Sequence, residues 1–197
     1  PLPPTLASIS LTPATSLVSP GHVGMPVTVD GTKFKPNTAV EVTYGKEKAI
    51  TVAKVDTDSR GSFSTTFAIP PGPAGTYTIT ASDGTNTAST TFIMESSAPL
   101  PPTPLLPKVA SAAEEVTYFD WQDVQDPSGV TYTLQIATDT EFTKIVLEKK
   151  GLTTSEYVLT GAEQLKAMGW ETPYYCRVRA IDRAGNEGMW TPPVPFY

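Results

Sequence analysis

Cysteine and histidine are almost missing from this chain. Its 197 residues hold one of each, Cys176 and His22. One cysteine excludes an intrachain disulfide. A zinc site draws on several His or Cys ligands, and one of each in different halves of the chain does not supply them. A serine or cysteine nucleophile needs a base beside it, and His22 sits in the loop Ser19-Pro20-Gly21-His22-Val23-Gly24, far along the chain from Cys176, so no triad assembles. No glycine-rich phosphate loop links a strand to a helix. No run of about eighteen apolar residues exists, which excludes a transmembrane helix. Basic charge is scarce as well: 14 Lys and Arg face 20 Asp and Glu, a net charge of −6. Nucleic acid, whose phosphates demand basic surface, is therefore not an expected partner. Residues 1–96 carry six basic and seven acidic side chains, net −1, and residues 97–197 carry eight and thirteen, net −5. Neither half has a basic stripe.

What the chain has is threonine, proline and glycine. Thirty threonines favour strands, and 20 prolines with 14 glycines favour turns. With 39% hydrophobic and 17% charged residues the composition is globular and all-β. A proline-dense, nearly uncharged stretch, Ser96-Ser97-Ala98-Pro99-Leu100-Pro101-Pro102-Thr103-Pro104-Leu105-Leu106-Pro107, divides it and reads as a semi-rigid linker. Pro99-Leu100-Pro101-Pro102-Thr103 repeats Pro1-Leu2-Pro3-Pro4-Thr5 residue for residue, as expected of a tandem array of modules. The start at Pro1, without an initiator methionine or a signal peptide, reads as a fragment cut from a longer protein. The organisation expected is a linker remnant at 1–4, a domain at 5–95, a linker at 96–107 and a second domain at 108–197.

The first domain reads as seven short strands. Ala7, Ile9 and Leu11 alternate; so do Met25, Val27 and Val29, then Val40, Val42 and Tyr44. Ile50 and Val52 mark a shorter fourth piece. Phe63 to Ile69 follows, stopped by Pro70-Pro71-Gly72-Pro73; Tyr77, Ile79 and Ala81 make the sixth and Ala88 to Met94 the seventh. Apolar residues at every second position, with turns about every ten residues, predict an antiparallel sandwich. Gly31-Thr32-Lys33-Phe34-Lys35-Pro36-Asn37, Val40-Glu41-Val42, Gly61-Ser62-Phe63 and Ala74 to Ala81 resemble the Ig-like modules found in tandem in bacterial and archaeal surface proteins.

In the second domain Phe119 and Trp121, then Val130, Tyr132, Leu134 and Ile136, point inward. Ile145 and Leu147 follow, then Tyr157 and Leu159, and Gly161 to Met168 suits one short helix ended by Gly169. Tyr174-Tyr175-Cys176-Arg177-Val178-Arg179-Ala180-Ile181 alternates cleanly, putting Tyr174, Cys176, Val178 and Ala180 on one face. Asp182 to Asn186 turns, and a last strand closes on Trp190 and Phe196. Phe119-Asp120-Trp121, Asp126-Pro127-Ser128-Gly129-Val130-Thr131-Tyr132 and the Tyr174 to Trp190 hairpin resemble a fibronectin type III domain. The resemblance implies that Tyr174 is the tyrosine corner, its hydroxyl bonded to the preceding backbone. It departs where Cys176 stands in place of the tryptophan common in prokaryotic relatives, and where Gly161 to Thr172 exceeds the usual turn. The fold expected is thus two tandem Ig-like antiparallel β-sandwiches of about seven strands each, joined by a Pro-rich linker.

Few residues carry candidate chemistry. Cys176 lies at an inward position and reads as an inert core thiol, as Trp121 reads as a core indole. Asp56-Thr57-Asp58-Ser59-Arg60-Gly61 is a weak calcium candidate through Asp56 and Asp58, and Asp120, Asp123 and Asp126 gather near a strand end; calcium takes six to eight oxygens, more than either run offers, and both read better as turns. No other cofactor is expected. Trp190 is expected to lie against Arg177 or Arg179 as a structural ladder, with a sugar-binding platform as the alternative. Tyr118, Tyr175 and Trp170 are further outward aromatics. These features point to non-catalytic structural or adhesion spacer modules of a larger secreted or cell-surface prokaryotic protein. The alternative is a polysaccharide-binding or positioning module of an extracellular enzyme. Partners expected are other domains of the same chain and a protein or polysaccharide ligand, with no membrane insertion.

Overall fold

Strict alternation decides the architecture, and β13, Tyr174–Asp182, shows it most plainly: every second residue is buried from Tyr174 to Asp182. Such a strand has one face on a core and the other toward solvent. The computed structural model describes residues 6–108, 111–112, 116, 118–166 and 171–197. The chain divides into two units, Pro1–Ser96 and Ser97–Tyr197.

In the first unit β1 (Ser8–Thr12), β2 (Pro26–Thr32) and β5 (Phe63–Ala68) form one antiparallel sheet in the order β1-β2-β5. The facing sheet has the order β4-β3-β6-β7, from β3 (Ala39–Gly45), β4 (Ala49–Asp56), β6 (Gly75–Ser82) and β7 (Thr87–Met94). Val27, Val29 and Phe63 from the first sheet meet Val40, Val42, Tyr44, Tyr77, Ile79, Phe92 and Met94 from the second, all buried. The fourth piece, expected to be short, is an eight-residue edge strand. A register shift after Val42 sets Ile50 opposite Tyr44. Directly opposed residues share a face, but at the sheet edge that face is not closed over, and Ile50 stays 49% exposed. Ser8 at the start of β1 pairs with Thr32, whereas Met94 at the end of β7 bridges Gly21, just ahead of β2. The chain therefore enters and leaves this unit at opposite ends.

The second unit repeats the plan. β8 (Pro104–Leu106), β9 (Tyr118–Trp121) and β12 (Glu156–Val158) form a sheet in the order β12-β9-β8, and β10 (Val130–Ala137), β11 (Ile145–Leu152), β13 and β14 (Val194–Phe196) form one in the order β11-β10-β13-β14. Numbered within each unit, both have strands 1, 2 and 5 against 4, 3, 6 and 7. The core holds Phe119, Trp121, Tyr132, Leu134, Ile136, Tyr174, Val178 and Phe196. Phe196 packs against Phe119 at 6.0 Å and against Tyr174 at 5.6 Å.

Three details differ from the sequence reading. Pro104–Leu106, placed in the linker, forms β8, because its position at a sheet edge tolerates a proline without an amide donor. The helix expected over Gly161 to Met168 is a single 3-10 turn, Gly161–Glu163, capped by Thr160 and Glu163 and followed by extended backbone at Gln164. The last strand does not include Trp190; β14 begins at Val194, and the preceding stretch is held by Gly188 N–H to Ala180 O and Thr191 N–H to Val178 O, each at 2.9 Å. The repeat Pro1–Thr5 and the residue Trp170 lie outside the described residues.

Candidate functional site

On the outward face of β13 the Arg177 guanidinium lies 4.0 Å from the centre of the Phe142 ring and 4.2 Å from that of Trp190. Arg179 lies 4.6 Å from the same indole. The neighbouring strand fixes the first arginine: its Nε and Nη2 donate to Gln135 Oε1 at 2.9 and 2.7 Å, and Gln135 Nε2 donates to Glu148 Oε1 at 2.6 Å. Arg179 donates through Nη1 and Nη2 to Glu187 at 2.5 and 3.0 Å. Burial, then the charge of Arg179, holds the Arg177 pKa below its ordinary value. Phe142 adopts positive φ, 55°, in the loop ahead of β11, which brings its ring to the arginine. Trp190, Arg177 and Arg179 are thus brought together; Phe142 and Gln135 complete the stack and were not expected. Arg177 Nε and Nη2, Arg179 Nη1 and Nη2 and Gln135 Nε2 are all bonded within the protein, and Arg179 Nε is buried without a partner among the described residues.

Cys176 is buried, and desolvation pushes its thiol up to about 12, so it carries no thiolate at neutral pH. Trp121 packs edge-on against Tyr132 at 5.4 Å. Tyr174 is buried in the core, and the backbone four residues before it, to which a corner hydroxyl would bond, lies outside the described residues. A corner of this kind is present in the first unit instead, where Tyr77 Oη donates to Pro73 O at 2.8 Å. Its sequence signal was the run Pro73-Ala74-Gly75-Thr76-Tyr77 at the start of a strand.

The carboxylates close turns. Asp58 Oδ1 accepts the amides of Arg60 and Ser62, both at 2.8 Å, and these bonds hold its pKa below the usual carboxylate range. Asp56 ends β4 at an exposed position. Asp126 Oδ1 accepts the Ser128 amide at 2.8 Å. Tyr118 Oη donates to Glu156 at 2.5 Å across β9 and β12. His22 Nδ1 lies 2.9 Å from the Val23 carbonyl.

One concavity was not foreseen. A groove of about 530 Å³ opens in the first unit between the β3–β4 turn and the Pro70–Pro73 loop, bordered by Tyr44, Lys46, Lys48, Ile50, Pro71 and Tyr77 among others. Tyr44 and Tyr77 stack face to face, 4.5 Å apart and 6° from parallel. Lys46 Nζ lies 4.8 Å from the Tyr77 ring centre and donates to Ala74 O at 2.5 Å. Two glycines make the room: a Cβ at Gly72 would lie 2.5 Å from the Tyr77 hydroxyl, and one at Gly75 would lie 2.7 Å from Lys46 Nζ.

The family model for the SusE outer membrane protein matches residues 80–168, from β6 through β12 and the 3-10 turn. No curated protein matches the chain. Among solved structures, domains A168–A170 of titin align over 98% of this chain and 67% of theirs at 18% identity, with a TM-score of 0.38. Chicken CNTN1 FN1–FN3 domains align over 89% and 63% at 16% identity, TM-score 0.36. A tetra-tandem repeat from the extending region of a large adhesion protein aligns over 97% and 47% at 17% identity, TM-score 0.40. The chain spans less than two thirds of the last two structures. These are likenesses of fold and bear on no ligand.

Proposed function

We propose that the two units are non-catalytic structural modules of a longer protein displayed at the outer cell surface. The observation that carries this reading is the match to the SusE outer membrane protein model, which runs from the first unit into the second. Three features support it. Each unit is an all-β sandwich with its own buried core. The candidate nucleophile is a buried, protonated thiol. The aromatic face of the second unit spends its polar groups on internal bonds. The mechanism is positional: rigid modules set the distance between whatever flanks them.

Replacing residues 6–197 in the parent protein with an unrelated pair of β-sandwiches of equal length tests this. Surface display and the parent's activity should persist. Loss of activity with display intact would overturn the spacer role, and retention of the isolated chain on insoluble polysaccharide would favour the accessory role in its place.

A further inference from the structure

The groove of the first unit has features that a spacer does not need. Its volume of about 530 Å³ falls within the roughly 300–1,000 Å³ of small-molecule sites, which combine apolar walls with a few placed polar groups. The walls are Ile50, Pro70, Pro71, Pro73 and the stacked tyrosine pair. The charged groups bordering it are Lys46, Glu47 and Lys48, two positive against one negative, on a unit whose total is −1. Lys46 is held in place by Ala74 O and the Tyr77 face. Tyr44 is 3% exposed, and its hydroxyl is a buried side-chain oxygen without a hydrogen-bond partner among the described residues. A buried donor left unpaired is costly, and the space its residue borders is the groove.

We propose that this groove binds a planar aromatic anion, its ring laid on Ile50 and the proline wall and its acid group held by Lys46 and Lys48. Flat apolar walls select a ring, and the excess of ammonium groups selects an acid over an amine. Burial and the nearby Tyr77 raise the Tyr44 pKa and keep its hydroxyl protonated, so Tyr44 adds no charge to oppose an anion. The three-residue turn at 46–48 carries both lysines on the end of a β-hairpin, so the binding groups are mounted on paired strands.

The test is a titration of the intact chain with naphthalene-2-sulfonate, followed by amide chemical shifts. Saturable shifts confined to residues 45–50 and 70–77 are expected, with 2-naphthylmethylammonium, the same ring with the opposite charge, binding at least tenfold more weakly. Ile50→Asp and Lys48→Glu, both at exposed positions, should weaken the sulfonate at least tenfold and about fivefold while leaving the rest of the spectrum in place. Three results would overturn the proposal: no saturable shift at these residues, the amine binding as tightly as the sulfonate, or affinity indifferent to both substitutions. A peptide Pro-Leu-Pro-Pro-Thr binding there more tightly than the sulfonate would overturn it too. None of these results touches the spacer reading.

Discussion

The four-stranded sheets of the two units share a strand order, yet their outer faces are finished differently. In the first unit the outward residues are short hydroxyls paired across strands: Thr80 with Ser89 at 2.9 Å on the four-stranded sheet, Thr28 with Thr66 at 2.8 Å on the other, and Thr51 with Glu41 at 2.6 Å at the edge. In the second unit the outward face of the four-stranded sheet carries Gln135, Arg177 and Arg179 under Phe142 and Trp190. The strand lengths explain the contrast. β7 pairs with β6 over eight residues, whereas β14 pairs with β13 over three. Where the ladder of backbone bonds is complete, small side chains suffice. Where residues 187–191 follow the sheet irregularly, the stacked arginines and indole hold that stretch down. One topology thus tolerates two sources of stability, backbone pairing in one unit and side-chain stacking in the other.

The contrast can be probed by substitutions of decreasing effect. Phe119→Ala removes a ring that is 1% exposed, and should cost about 3–5 kcal/mol; Phe92→Ala, at 0%, should cost the first unit the same. Equal losses by urea unfolding would show that the cores, unlike the faces, are equivalent. Arg177→Ala should come next, at about 2 kcal/mol, because it removes a desolvated cation–π contact and strands the Gln135 amide. Hydrogen exchange should then rise at 187–191 first, and an unchanged rate there would break the bracing argument. Tyr77→Phe deletes the bond to Pro73 O and should cost the first unit about 1 kcal/mol, read from its denaturation midpoint.

Both units have an acid limb, since backbone amides hold the Asp58 and Asp83 carboxyls of the first below the usual range, and that of the second can be traced to one residue. The Glu163 carboxyl is held down to about 2 by the Lys149 ammonium, the Thr160 amide and the Tyr157 hydroxyl. A carboxylate whose pKa is depressed on folding stabilises above its unfolded value, and that stability is lost as pH falls through its folded value. The second unit should therefore weaken from about pH 4.5 down to about pH 2, and Glu163→Gln should flatten that limb in urea titrations repeated across pH. The smallest effect is expected from Thr66→Val, which removes one exposed hydroxyl pair and should shift the first unit by under about 0.5 kcal/mol.

The alternation of Val40, Val42 and Tyr44 or of Tyr174, Cys176 and Val178 made both sandwiches legible, because a period of two leaves one physical outcome once a core exists. The alternation put Arg177 and Arg179 on the outward face, and the resemblance to a fibronectin type III domain brought Trp190 to them, although Trp190 lies off the last strand. Phe142 was not, because a loop conformation with positive φ leaves no periodic trace. Nor was the groove: it depends on the register shift that sets Ile50 beside Tyr44 and on the space above Gly72 and Gly75, both products of long-range pairing. Pro104–Leu106 was misplaced because proline density signals an extended chain without saying whether another strand lies beside it.

The opposite placement of entry and exit in the first unit has a mechanical result. A pull applied at both termini runs parallel to β1, and the bonds joining it to β2 from Ser8 to Thr12 are loaded in shear, all at once. Were the termini on the same side, the ladder would open like a zip, one rung after another. A module threaded this way keeps its length under tension until many bonds fail together.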